Sequence, residues 1–200
     1  MTDWNEYYEK TKDAPPNPVL AQACKQVDAT LPKIAIDCGC GSGRGIAFLL
    51  AQGFDVHAFD ADPGAEAFCK ERFAGEPNVR VTTATFASFS YPQAALLTAI
   101  YSLFFCPAGE WDTAWQKITA AIMPGGIFCG TFLGPNDSWA AQGHVADRPD
   151  LKIITHAEAD VRSLLDGFTM LALDVNDEDG HTAEGVEKHW HSIMAVARRN

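Results

Sequence analysis

Apolar positions along this chain follow two alternating rhythms. Leu20, Ala23, Val27 and Leu31 recur at helical spacing; Asn17 can cap that segment, Pro18 suits its first turn, and Pro32 ends it. Lys33 to Cys38 then reads as a first strand, and the helix-forming run Ile46 to Gln52 ends at Gly53. Phe54 to Asp60 is a second strand, and Asp62-Pro63-x-x-Glu66 opens a second connecting helix with a cap, a proline and a first-turn acid. Val79 to Thr83 is a short third strand. Gln93 to Tyr101 is almost continuously apolar, as a strand covered on both faces must be.

The later half repeats the scheme. Trp111, Trp115, Ile118 and Ile122 form one helical face, and Ile127 to Leu133 is a fifth strand. Thr155-x-x-Glu158 has the form of a capping box before a helix carrying Val161, Leu164, Leu165 and Phe168. Phe168 to Val175 and Trp190 to Ala197 read as two closing strands joined by a long polar loop, Asn176 to His189. Strands alternating with helices predict an α/β protein with a doubly wound, mostly parallel sheet. No repeat or linker interrupts residues 1–200, so one domain is expected. The long irregular stretch, Gly134 to Lys152, has the length of a lid loop.

Ligands of such sheets lie beyond the carboxyl ends of the strands. At that edge the sequence places Cys38 to Gly43, Asp60 to Asp62, Thr85-Phe86, Tyr101 to Leu103 and Leu133 to Trp139. The first of these is the most telling. Asp37-Cys-Gly39-Cys40-Gly41-Ser-Gly43 leads from a strand into a helix, the geometry that brings bare backbone against a nucleotide-like ligand. Neither register satisfies the dinucleotide pattern G-x-G-x-x-G, because its third position falls on Arg44 or Ile46. Asp37 would also repel a pyrophosphate, whereas an amino acid bearing a cationic sulfonium tolerates it. Asp60 lies seventeen residues after Gly43, a distance that suits an acid on a ribose diol.

At these residues the chain resembles the class I S-adenosylmethionine-dependent methyltransferases. Asp37 to Gly43 is similar to their first motif and Asp60 to their ribose-binding acid; Met123-Pro-Gly-Gly-Ile-Phe resembles the turn into their fifth strand. Trp4, Tyr7 and Tyr8, ahead of a capped helix, resemble the N-terminal segment (residues 1–32) of the small single-domain tellurite-resistance and thiopurine-type members. The resemblance implies a Rossmann-like seven-stranded sheet with helices on both faces and the last strand antiparallel beside the fifth. That would carry Lys188-His189-Trp190-His191 to the loop Gly134 to Trp139, with His189 and His191 on one face. It also implies S-adenosylmethionine as cofactor, with S-adenosylhomocysteine as product. Asp37, Gly39, Cys40, Gly41 and Gly43 would meet the methionine part, Asp60 and Ala61 the ribose, Thr85 and Phe86 the adenine, and Tyr101 and Ser102 the methionine side after the fourth strand. Thr85 stands where many relatives carry an aspartate.

Composition narrows the acceptor. A net charge of -11 with no Lys/Arg cluster repels a phosphate backbone, so a small molecule is expected and nucleic acid is not. The acidic run Asp174 to Glu187 reads as a solvated hairpin and loop. No stretch approaches a membrane span or a secretory leader, and the six cysteines form no C-x-x-C pair, so a reducing cytosol is the expectation. His189-x-His191 lacks a third ligand, so no metal site is specified. His156 reads as exposed, and His144 and His181 as structural.

Methyl transfer from a sulfonium is an in-line displacement in which the protein aligns the partners and excludes water. A base is needed only for an acceptor that carries a proton, so the catalytic residue stays open, with Tyr8, His189 and His191 as candidates. Trp4, Tyr7, Tyr8 and Trp139 are candidates for the acceptor pocket. A non-catalytic cofactor-binding module or sensor, a nicotinamide-dependent oxidoreductase, and a nucleic-acid or protein methyltransferase are the alternatives. Oligomeric state has no signature in the pattern.

Overall fold

The computed structural model describes residues 4–146, 148–183 and 185–200. Met1 to Asp3 of the N-terminal segment, Asp147 of the expected lid loop and Glu184 of the acidic run lie outside the described residues. Among the described residues, nine strands and six α-helices follow in the order α1 Asn5–Thr11, α2 Pro18–Gln26, β1 Ile34–Cys38, α3 Arg44–Ala51, β2 Asp55–Asp60, α4 Pro63–Arg72, β3 Val79–Thr83, β4 Ala94–Ala99, α5 Trp111–Ala121, β5 Ile122–Leu133, β6 His144–Val145, β7 Arg148–Lys152, α6 Glu158–Leu164, β8 Phe168–His181 and β9 Glu187–Arg199. Seven strands form one sheet in the order β3-β2-β1-β4-β5-β9-β8. β1 to β5 are parallel, and β9 is antiparallel to both β5 and β8. This is the Rossmann-like methyltransferase fold expected from the sequence.

The sheet is covered on both sides because its central strands are apolar on both. α2, α3 and α4 pack Val19, Leu20, Ala23, Ile46, Leu49 and Cys69 against Ala35, Val56, Leu96 and Ile127. α5 and α6 pack Trp115, Ile118, Val161 and Leu165 against Ile36, Leu97 and Phe128 on the other face. Among the described residues, no helix lies in the short connection from β3 to β4. The sheet there stays open as a groove of about 310 Å³ lined by His57, Arg80, Thr82 and Phe89, on the face away from α3 and α4. No helix among the described residues is long and apolar enough to cross a membrane.

Several boundaries differ from the sequence reading, each for a local reason. α2 stops at Gln26 rather than Pro32, because Asp28 folds a side-chain turn that accepts from Thr30 N at 2.8 Å. α6 starts at Glu158, not at Thr155: Ala157 precedes it, and the reciprocal bond runs from Ala157 N to Asp160 Oδ2. His156 is half-buried instead of exposed, with its ring 4.4 Å from Trp111 and 5.6 Å from Phe132. The polar loop expected over Asn176 to His189 is mostly strand. β8 and β9 stay paired out to His181↔Glu187, well past the point where β5 ends at Leu133↔Ser192.

The stretch Gly134 to Lys152 is not irregular either. Its first part is stitched to the protruding end of β9: Gly134 N donates to His191 O at 2.6 Å, Asn136 N to His191 Nδ1 at 3.0 Å, and Ser138 N to His189 O at 3.1 Å. A Cβ on Gly134 would overlap the His191 imidazole, so only glycine lets the strands approach. The remainder folds into the two-stranded pair β6–β7.

Candidate active site

β1 delivers the glycine turn to the edge where the strands end. Gly39, Gly41 and Gly43 all hold positive φ, at 73°, 49° and 75°. The need for glycine is clearest at Gly39, where a Cβ would overlap the side chain of Ser102; Ser102 Oγ in turn donates to Cys38 O at 2.6 Å. Turn and post-β4 segment therefore pack backbone against side chain. The turn is tied to β2 as well, because Gly39 N and Cys40 N both donate to Phe59 O.

Two carboxylates flank this turn. Asp37 is buried, and burial first, then the negative charge of Asp60, raises its pKa to about 7; Arg44 opposes the shift. A Cβ on Gly45 would lie 2.6 Å from Asp37 Oδ2, so the second residue of α3 makes room for that carboxyl. Asp60 accepts from Gly41 N at 2.9 Å and Asp62 N at 3.0 Å. Burial raises its pKa, while these backbone donors hold it down. Ala61 is exposed beside it. The Cys40 thiol is raised well above its ordinary value by its contact with Cys69 and by burial, and Cys69 Sγ donates to Gly41 O at 3.3 Å. This is a packed, unreactive pair.

α1 lies across the turn. The Tyr8 phenol donates to Asp62 Oδ2 at 2.8 Å, its ring sits 3.6 Å from where a Gly41 Cβ would be, and Thr11 Oγ1 bonds Ser42 Oγ at 3.0 Å. Burial and the charge of Asp60 push the Tyr8 phenol far up, so it is a donor and not a base. Thr85 Oγ1 donates to Glu110 Oε2 at 3.0 Å, and the Phe86 ring is buried edge-on against Phe59 at 5.3 Å.

Beyond β4 and β5 lies an aromatic region. Tyr101 adopts φ 53°, the left-handed conformation in a non-glycine residue, and its ring meets Trp190 at 5.5 Å. Strain of that kind gathers at functional sites. Trp190 meets Trp139 at 5.7 Å, and Trp4 meets Tyr7 at 5.6 Å and Phe105 at 6.4 Å. His189 and His191 share one face of β9 and Trp190 the other. Both His189 ring nitrogens bond carboxylates, Asp179 at 2.7 Å and Asp177 at 2.8 Å, which raises its pKa. Under Trp139 and Trp190 lies a buried ion pair between Lys188 and Asp137.

The structure thus brings Asp37, the three glycines, Asp60, Tyr8 and Ser102 together, and gathers Trp4, Tyr7, Tyr101 and Trp139 nearby. It turns Phe86 into the core and engages Thr85 elsewhere. Sequence reasoning placed Asp62 at the ligand edge as a helix cap but missed its bond from Tyr8, the Thr11–Ser42 contact and the Lys188–Asp137 pair. A signal for the last existed in the parallel spellings Asp137-x-Trp139 and Lys188-x-Trp190.

The site suits an adenosyl sulfonium chemically. The bare turn admits close backbone approach, Asp37 can face a cationic amine, and Asp60 keeps acceptor capacity for a diol.

Residues 35–126 match the model of a methyltransferase domain family. No curated protein matches the sequence. Among solved structures, TehB from Haemophilus influenzae superposes with TM-score 0.74 at 17% identity, over 97% of this chain and 66% of that one. The chain thus spans just under two thirds of TehB. The 1,6-didemethyltoxoflavin-N1-methyltransferase of Burkholderia thailandensis, bound to 1,6-didemethyltoxoflavin and S-adenosylhomocysteine, gives 0.67 at 17% over 98% and 81%. The N-methyltransferase NodS from Bradyrhizobium japonicum WM9, in complex with S-adenosylhomocysteine, gives 0.65 at 15% over 99% of each. At such identities the likeness is one of fold. The domain match covers residues 35–126, just under half of the chain, and with the sheet order it gives the chain the Rossmann-like fold of these methyltransferases.

Proposed function

We propose that this protein transfers a methyl group from S-adenosylmethionine to a small-molecule acceptor. The observation that carries the reading is the left-handed glycine turn held between two carboxylates, the buried Asp37 and the half-buried Asp60. When bound, the cofactor supplies an activated methyl group on a sulfonium. The chain's own residues bind and exclude water. The bare turn backbone and Asp37 take the amino-acid end, Asp60 takes the ribose hydroxyls, and α1 with Tyr8 covers them. Trp4, Tyr7 and Trp139 form the acceptor side. No side chain is assigned as an obligatory base. That the Burkholderia thailandensis neighbour is an N1-methyltransferase holding 1,6-didemethyltoxoflavin supports a small acceptor, as does the net charge of -11. The unpaired thiols suit a reducing cytosol.

Calorimetry tests the cofactor assignment. S-adenosylhomocysteine should bind the native protein, and Asp60→Ala should weaken it by about tenfold or more, the loss of about 1.4 kcal/mol or more of charge-assisted hydrogen bonding. Native-like affinity in that variant would remove the ribose role.

A further inference from the structure

S-adenosylmethionine is an elongated molecule in which an amino acid, a ribose and a purine base follow one another. Partners for the first two stand in the same order along the sheet edge. Asp37 and the glycine turn stand at the end of β1, and Asp60 ends β2, the neighbouring strand. The next strand outward is β3, with Thr83 in register with Asp60. The chain leaves β3 tied to β2, because Ala84 N donates to Asp60 O at 2.9 Å. Thr85 follows at once. Laid along that order, the base reaches the segment after β3.

The side chain that meets this segment comes from elsewhere. Glu110 closes a 3-10 turn, Ala108–Glu110, that lies between β4 and α5. It immediately precedes α5, the position from which a side chain caps a helix, yet it makes no cap bond. Its carboxylate turns to the β3 exit instead, where Oε2 accepts from Thr85 Oγ1 at 3.0 Å. Ser88 N donates to the same Thr85 oxygen at 3.2 Å. The carboxylate is a closer and stronger acceptor for the Thr85 proton than the Ser88 hydroxyl at 3.3 Å. Thr85 therefore aims the carboxylate. Glu110 is half-buried, and its Oε1 has no hydrogen-bond partner among the described residues. A half-buried carboxylate accepts and cannot donate, so its spare oxygen calls for an N–H or O–H.

Adenine brings such a donor, its exocyclic amino group, where hypoxanthine and guanine carry a carbonyl oxygen. The sequence reading gave the base to Thr85 and Phe86. Phe86 is instead buried against Phe59, and the Thr85 hydroxyl is bonded on both sides. Resting on the methyltransferase reading, we infer that Glu110 determines specificity for the base: its carboxylate accepts from the adenine amino group, and Thr85 is the positioning residue that holds it there. A base with hydrogen at that place leaves the carboxylate without its donor, and one with a carbonyl oxygen sets two acceptors against each other.

Calorimetry of the native protein tests this with S-adenosylhomocysteine and with its deamino analogue, in which hydrogen replaces the amino group. The amino compound should bind at least about tenfold more tightly. In Glu110→Ala that preference should fall to about twofold or less. In Glu110→Gln, which keeps an acceptor oxygen without the charge, it should lie between the two. The ratio is the readout because a purely structural loss at the start of α5 weakens both compounds alike, and the native comparison needs no variant to fold. Equal binding of the two compounds by the native protein, or a native-like preference in either variant, overturns the inference. Failure of S-adenosylhomocysteine to bind the native protein at all would instead remove the methyltransferase reading beneath it.

Discussion

The phenol of Tyr8 reaches across 54 positions of chain to donate a 2.8 Å hydrogen bond to Asp62 Oδ2. Asp62 is also the cap of α4, accepting from Gly64 N through its other oxygen. One carboxylate thus starts a helix of the sheet scaffold and fastens the helix that covers the glycine turn.

Tyr8→Phe removes this bond and keeps the ring. A hydrogen bond to a carboxylate contributes about 1.5–3 kcal/mol. The bond fastens α1 to the start of α4, so its loss should appear as local opening of α1. Amide exchange in residues 5–11 should speed up by about tenfold or more while the central strands keep their protection. Unchanged exchange in α1 would show that the phenol does not hold it down.

Asp37 predicts a pH dependence of cofactor binding. Its carboxyl is raised to about 7 by burial and by Asp60, whereas an unfolded aspartate titrates near 3.9. Between those values the folded chain keeps a proton that the unfolded chain has lost, so this group's contribution to stability falls as pH rises through the window and is level above it. Binding runs the other way. A cationic amino group needs the ionised carboxylate, so S-adenosylhomocysteine affinity should rise by up to about tenfold from pH 6 to pH 8. Asp37→Asn should flatten that rise. Calorimetry at three pH values decides, and a slope that persists in the variant would assign the titration to another group.

What the sequence made legible was whatever local chemistry dictates. The Asn17 and Asp62 caps with their prolines, the glycine turn and the doubly covered β4 follow from short-range rules, and Asn17 and Asp62 do accept from Val19 N and Gly64 N. Illegible parts depend on partners far along the chain. The outer half of β8, an edge strand, is rich in Asp and Glu and mostly exposed, so its apolar alternation disappears although the ladder with β9 continues. Lys188 carries a residue type that reads as surface, yet its side chain is 1% exposed because Asp137, from the loop after β5, meets it. Tertiary pairing of that sort leaves no period in the sequence.

That ion pair gives a double-mutant test. Removing one member of a buried pair strands the other charge, at a cost of about 3–5 kcal/mol, while replacing both is far milder. Lys188→Met should therefore unfold at markedly lower urea than the native protein, and Lys188→Met with Asp137→Asn should recover most of the difference. A double variant no more stable than the single would mean that packing against Trp139 and Trp190, rather than charge, is what Lys188 supplies.

Thr98 and Thr131 are 1% and 0% exposed, and their hydroxyls have no hydrogen-bond partner among the described residues. A buried, unbonded hydroxyl costs about 1–3 kcal/mol by comparison with an apolar group of the same shape. Thr131→Val should accordingly stabilise the protein by about 1 kcal/mol, read from the urea midpoint. Thr98 differs in its neighbour. It pairs with Asp37 across β1 and β4, and residues paired in register project to the same side of the sheet. Exchanging its hydroxyl for a methyl makes the surroundings of that carboxyl less polar, which raises an acid further. In Thr98→Val the midpoint of the pH-dependent rise in S-adenosylhomocysteine affinity should move above 7, whereas in Thr131→Val it should stay in place. Equal midpoints in the two variants would mean that the Thr98 hydroxyl does not act on Asp37.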